Sequence, residues 1–271
     1  MLRERLGTAL WKRVAAARNR RFRTALRTDP DGPVLVLSPH LDDAVLDCWS
    51  VLTGPADVRV VNVFALPPAP GTTTDWDGIA GQPDSAALFA ERIAEDVDAL
   101  DEAGRGPENL PFLEIQYRRG RPFPPWSALD REIARRFPAP ARVFAPMTIG
   151  TVHPDHALVR AYALSLARQR IPVSLYADLP YCAVYGWPAW VTGGETSPHL
   201  DVDAYWASAF AETGVDPRAG RVERLDDTTA AAKLAAMRRY RTQFPTLDRG
   251  PVGNISNPEI HRYEVFWDAP A

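Results

Sequence analysis

Hydrophobic positions at the start of the chain fall four apart, at Leu2, Leu6, Leu10 and Val14. That spacing predicts one face of a helix. Lys12 and eight arginines (Arg3, Arg5, Arg13, Arg18, Arg20, Arg21, Arg23 and Arg27) surround the stripe. Residues 1–31 therefore read as a basic amphipathic extension. Such a helix either packs on the domain with its arginines in solvent or, through residues 1–28, touches an anionic membrane surface. Asp29-Pro30-Asp31-Gly32-Pro33 ends it.

The pattern then changes. Val34-Leu35-Val36-Leu37 is a continuous apolar run, which predicts a strand buried on both faces. Residues 44–52 read as a helix and 59–66 as a second buried strand. Residues 67–83 are rich in Pro and Gly and hold Trp76, so they predict a long loop. Asp84 or Ser85 caps a helix with Phe89, Ile93, Val97 and Leu100 on its face. Residues 110–115 predict a strand. Ser127 caps a helix carrying Leu129, Ile133 and Phe137. A strand at 142–147, a loop at 148–156 and a helix at 157–168 follow. Residues 173–176 predict a strand, and 177–227 read as irregular and aromatic-rich. Thr228 or Thr229 opens a last helix, and 263–267 predict a final strand. Strands alternating with amphipathic helices predict an α/β sandwich with a mostly parallel sheet. No linker divides residues 32–271, which read as a single domain.

Composition narrows the class. Hydrophobic residues are 46% of the 271 and charged residues 24%, which excludes a disordered chain. A net charge of −3 excludes a global cationic footprint for nucleic acid. No apolar run reaches the length of a membrane span, and no signal-peptide core is present, so a cytoplasmic address is expected. Cys48 and Cys182 are too few for a disulfide scaffold and read as small buried hydrophobes.

The chemistry sits in two segments that each follow a predicted strand, Ser38-Pro39-His40-Leu41-Asp42-Asp43 and His153-Pro154-Asp155-His156. In such sheets function gathers at the carboxyl edge of the strands. Imidazole and carboxylate suit a divalent metal such as zinc, with three protein ligands and a position left for water. His40 and Asp43 can reach one point, and His156 can supply the third ligand. Asp42 is then spare, as a general base for water. His153 is also spare, with Asp155 near enough in sequence to orient it, and can stabilise or protonate a developing oxyanion. The bland alternative is an Asp pair capping a helix beside unrelated histidines.

At these residues the chain resembles the PIG-L/LmbE-type deacetylases. The resemblance rests on Pro39-His40-Leu41-Asp42-Asp43 and on Gly150-Thr151-Val152-His153-Pro154-Asp155-His156. It extends from about Val34 to Trp267, through Leu179-Pro180-Tyr181 and Lys233-Leu234-Ala235-Ala236. It implies a Rossmann-like three-layer fold and zinc-dependent hydrolysis of an N-acyl group, usually N-acetyl on a glucosamine-type sugar. Carried over by position, it implies His40, Asp43 and His156 as zinc ligands, Asp42 as general base, and His153 at the oxyanion or leaving amine with Asp155 orienting it. Ala44 and Ala177 depart from the acidic residues relatives often carry there. The N-terminal extension has no counterpart.

Candidates for the substrate side are Arg92, Trp76, Glu114, Tyr117, Arg118 and Asp178. Trp76 can stack on a sugar ring. His199 and His261 are lone histidines with structural or surface roles. Iron(II) is the other metal the ligand set admits. The expected partner is a small aminosugar-containing molecule. Three other readings compete. The first is an amidase acting on a larger N-acyl or thiol-conjugate substrate on the same fold. The second is a non-catalytic carbohydrate-binding relative, against which the complete set of ligands and base argues. The third is a non-haem iron oxygenase built on His153, Asp155 and His199, against which the helix–strand alternation argues.

Overall fold

The computed structural model describes Arg13 and residues 32–270, apart from 80, 82–83, 150–152, 196–198, 212 and 250–253. The helix expected over residues 1–31, Arg13 excepted, and Gly150-Thr151-Val152 of the second motif lie outside the described residues.

Seven strands form one sheet: β1 Val34–Ser38, β2 Val58–Asn62, β3 Pro107–Asn109, β4 Arg142–Pro146, β5 Val173–Tyr176, β6 Arg221–Arg224 and β7 Tyr263–Asp268. Their order is β3-β2-β1-β4-β5-β7-β6. Strands β1 to β5 pair in parallel. β7 runs antiparallel to β5 and to β6. The fold is α/β with a mostly parallel sheet, as the alternating pattern predicts. β1 is fully buried, which is why its sequence is continuously apolar. From β1 the chain winds outward through β2 and β3, then crosses to β4 on the other side. The connections leave β1 and β4 in opposite directions, so a crevice opens at their carboxyl ends. Both histidine segments emerge there.

Several local expectations change. The helix expected over 44–52 is two pieces, Asp43–Asp47 and Trp49–Leu52. The break has a cause in β7: Glu264 takes the N–H groups of Trp49 and Ser50 at 2.7 and 2.9 Å, so these no longer bond within the helix. Lys233 Nζ, fully buried, meets the same carboxylate at 2.7 Å. The strand expected over 110–115 ends instead at Asn109. Pro111, which has no N–H to donate, follows, and Ile115–Arg118 is helical. The long loop contains a short helix, Asp75–Ile79. Asp84 does cap the helix Ser85–Asp101, accepting from Ala86 and Ala87, but Val97 faces solvent and Leu88, Phe89, Arg92 and Asp96 face inward. Ser127 caps nothing, because the helix Trp126–Arg136 starts one residue earlier. The stretch 177–227 holds the helix Val202–Phe210 and the edge strand β6. β6 reads Arg-Val-Glu-Arg with only Val222 buried, so it carries no apolar run to signal it. Trp206 and Phe210, four apart, pack against Trp267.

Candidate active site

β1 ends at Ser38, whose Oγ donates to His40 O at 2.6 Å and accepts Ala44 N–H at 3.0 Å. Those two bonds fix the turn into the helix Asp43–Asp47. Asp42 occupies the cap position without a side-chain capping bond, which removes the bland reading of the Asp pair. Asp43 Oδ2 accepts His40 N–H at 2.7 Å. From the other strand, the helix begins at Pro154 with His153 as its cap. His156 therefore stands in the first helical turn and not in a loop. Proline at the first helical position is favoured, and it moves the start ahead of the expected 157.

Three atoms converge. His40 Nδ1 and His156 Nε2 lie 3.1 Å apart. Asp43 Oδ2 is 3.5 Å from His156 Nε2 and 3.8 Å from His40 Nδ1. Metal–ligand bonds of about 2.0–2.1 Å in a tetrahedron place neighbouring ligands roughly 3.3–3.4 Å apart, so these separations fit one divalent ion. Each of the two histidines is held by a carboxylate on its other nitrogen. His156 Nδ1–H donates to Asp178 Oδ1 at 2.7 Å, and His40 Nε2–H donates to Asp155 Oδ2 at 3.2 Å. A carboxylate accepts only, so both bonds put the lone pairs of the facing nitrogens toward the common point, as metal-binding histidines require. A nitrogen of His153 also lies within 4.8 Å of the other two histidines. His153 differs from them: its Nδ1 accepts the Asp155 peptide N–H at 3.3 Å. That leaves its proton on Nε2, which suits a donor and not a ligand.

The surrounding charge is negative. Burial opposes the charged form of His156, but Asp178 and Asp43 outweigh it and lift its pKa to about 10, so near neutral pH the imidazole carries a second proton on Nε2, which a bound cation would displace to expose the lone pair. Burial likewise opposes His40, and Asp155 with Glu114 outweighs it and raises its pKa. The cluster thus draws positive charge to the point between its donors. His153 goes the other way: burial, then the neighbouring His40 and His156, lower it to about 3, so it is neutral near pH 7. Burial raises the Asp42 carboxyl, and Asp43 adds to the rise. The Asp42 side chain makes no hydrogen bond to another described residue, so its lone pairs are available.

A cavity of about 180 Å³ opens on the cluster. His40, Asp42, Asp43 and His153 line it, together with Trp76, Arg92 and Glu114. Arg92 Nη1 and Glu114 Oε1, both buried, form an ion pair at 2.8 Å. Burial opposes the Arg92 charge, but Glu114 and Asp42 outweigh it and keep it charged.

Four expectations need correction. Asp155 does not direct its carboxylate to His153; it holds His40, with Ile115 N–H at 2.8 Å and Arg118 on the same group. Burial raises Asp155, but His40, the Ile115 N–H and Arg118 outweigh it and lower its pKa. Arg118 is buried under Phe64 and Phe123 and serves Asp155, not the cavity. Tyr117 donates its O–H to Asp77 at 3.1 Å, also away from the cavity. Asp178, buried, faces His156 and not substrate space.

The sequence reading missed Gln243, Leu247 and Tyr181 as lining residues. Tyr181 lay within the resemblance and stacks edge-on to His156. Gln243 had no local signal. It is placed by Glu95, which accepts from Thr242 N and Oγ1, and it meets Trp76 Nε1 at 3.3 Å. Cys48 and Cys182 are free and fully buried. Burial pushes both thiols up, which suits packing and not nucleophilic attack. His261 is buried against Ile255 O, and His199 is exposed.

Comparison with protein-family models returns no match, and comparison with curated proteins returns none. Solved structures do match. A deacetylase in the biosynthesis pathway of teicoplanin aligns at 26% identity over 87% of this chain and 97% of its own, with TM-score 0.64. Teicoplanin deacetylase in its zinc inhibited form aligns at 26% over 87% and 97%, with TM-score 0.63. The A40926 pseudoaglycone deacetylase aligns at 27% over 87% and 96%, with TM-score 0.60.

Proposed function

We propose, from the premise that the chain belongs to the PIG-L/LmbE-type deacetylases, that it is a metal-dependent hydrolase of N-acetylated glucosamine-type sugars. The sugar is carried in a small glycoside or natural-product intermediate. One observation carries the reading. Two carboxylate-backed histidines and Asp43 converge on one point, and a neutral His153 and an Asp42 whose side chain bonds no other described residue open on the same cavity.

His40, Asp43 and His156 would hold the ion, and zinc suits two imidazoles and one carboxylate. Bound there, a divalent ion would supply Lewis acidity toward the amide carbonyl and lower the pKa of water. Asp42 takes the proton of the attacking water on its free oxygen. His153 donates from Nε2–H to the oxygen that becomes negative as the carbonyl carbon turns tetrahedral. The C–N bond then breaks, Asp42 passes the proton to the leaving amine, and acetate and the free amine result. The cavity is small, so the acetamido end enters and the remainder of the molecule extends out past the half-buried lining residues Trp76 and Leu247. The buried Arg92–Glu114 ion pair lines the cavity beside the sugar.

The test is acetate release from N-acetylglucosamine conjugates: free sugar, inositol-linked, aminoglycoside-type, glycopeptide-type and chitobiose-type. Metal-stripped protein is compared with protein loaded with one equivalent of zinc. Excess zinc is avoided, because one similar deacetylase is described in a zinc inhibited form. Metal-dependent release from one class supports the reading. No release from any class by zinc-loaded protein overturns the deacetylase assignment.

A further inference from the structure

We propose that Asp47 is a positioning residue for the metal centre, holding the backbone of Asp178 so that the Asp178 carboxylate meets His156. The inference rests on the metal-site reading above and names a residue outside the cavity.

Asp47 ends the helix Asp43–Asp47. It lies four residues after Asp43, so both side chains leave the same face of that helix. Asp47 is 2% exposed. Its Oδ1 accepts the N–H groups of Asp178 and Leu179 at 2.9 Å each, and its Oδ2 accepts from the same Leu179 N–H at 3.0 Å. Asp178 has φ +79°, a left-handed conformation that costs energy for any residue with a Cβ. In such a turn successive N–H groups point to one side and make a concave seat for an anion. Asp47 occupies that seat. The Asp178 side chain, on the other side, reaches His156 Nδ1 at 2.7 Å. Without the acceptor, two buried N–H groups lose their partner and the strained conformer loses its support. The same five-residue helix therefore sets Asp43 directly and His156 indirectly, through Asp178.

The experiment measures zinc affinity on the full chain by competition with a chromophoric chelator. A cobalt d–d spectrum reports the ligand geometry, and circular dichroism reports folding. Asp47→Asn keeps Oδ1 as acceptor for both N–H groups but replaces Oδ2 by an NH2 that cannot accept from Leu179, so its affinity falls less than that of the Glu variant. Asp47→Glu shifts the acceptor by one methylene and lowers affinity by about 10–100-fold. Asp47→Ser withdraws the acceptor without added bulk and matches it. Asp178→Asn lowers affinity by a similar factor, and adding Asp47→Glu to it costs nothing more, because Asp47 acts through Asp178. Three results each overturn the proposal: wild-type affinity in the Glu and Ser variants, a loss in Asn equal to that in Glu, or additive losses in the double variant. A wild-type chain that binds neither zinc nor cobalt overturns the underlying metal-site reading as well, and so is told apart from these three.

Discussion

Replacing Asp42 by Asn separates the base from the metal centre. Asn has the same shape, and the Asp42 side chain makes no hydrogen bond to another described residue that the change could break. The three converging atoms, His40 Nδ1, Asp43 Oδ2 and His156 Nε2, belong to other residues. Metal affinity is therefore expected to hold. Thermal stability is expected to hold or rise slightly, since a buried charge beside Asp43 is removed. Turnover should fall by the contribution of a positioned base, about 10²–10⁴-fold, or roughly 2.7–5.4 kcal/mol in the barrier. A base must be ionised to act, so wild-type kcat/KM should fall as pH drops through the Asp42 pKa. That acid limb lies above the usual carboxylate range, because burial and then Asp43 raise it. The assay is acetate release against pH at saturating metal, with bound metal measured on the same samples. Wild-type turnover in Asp42→Asn at full metal occupancy refutes the assignment. So does loss of the metal from that variant.

Asp96 is buried, and burial lifts its pKa to about 8 against the hydrogen bonds from Tyr240 and Asn62. The folded state then keeps a proton that the unfolded chain, with a value of 3.8, releases. The proton's stabilisation is complete below that lower value and is lost as pH rises toward about 8, at up to about 1.4 kcal/mol per pH unit. Urea denaturation of wild type and Asp96→Asn between pH 5 and 8.5 checks this, and equal slopes refute it. Lys233→Met leaves Glu264 buried without its cation and is expected to cost about 3–5 kcal/mol. A loss under about 1 kcal/mol in denaturant midpoints means the Trp49 and Ser50 N–H groups suffice. Trp76→Ala is expected to raise KM roughly 2- to 12-fold by removing a ring contact worth about 0.5–1.5 kcal/mol, with kcat little changed. A fall in kcat at constant KM points to loop ordering in place of ring contact.

The sequence alone determined what depends on local pattern. The run Val34–Leu37 marked a strand buried on both faces, because only a central parallel strand is apolar at every position. The two histidine segments each follow a predicted strand, which sets them at the carboxyl edge and makes their meeting legible in the chain itself. Tertiary structure alone decided which polar group answers which. Asp155 stands two residues from His153 but serves His40, 115 residues away. Asp178 follows a strand, as a substrate residue could, yet turns inward to His156. Gln243 reaches the cavity because Glu95 of another helix holds its neighbour. The helix after His40 breaks at Cys48 because Glu264 of the last strand captures two of its N–H groups. The physical reason is common to these cases. Periodicity records which side of an element is buried, whereas a buried polar atom takes whichever partner the packing brings within about 3 Å, and that partner is set by the crossing of elements far apart in the chain.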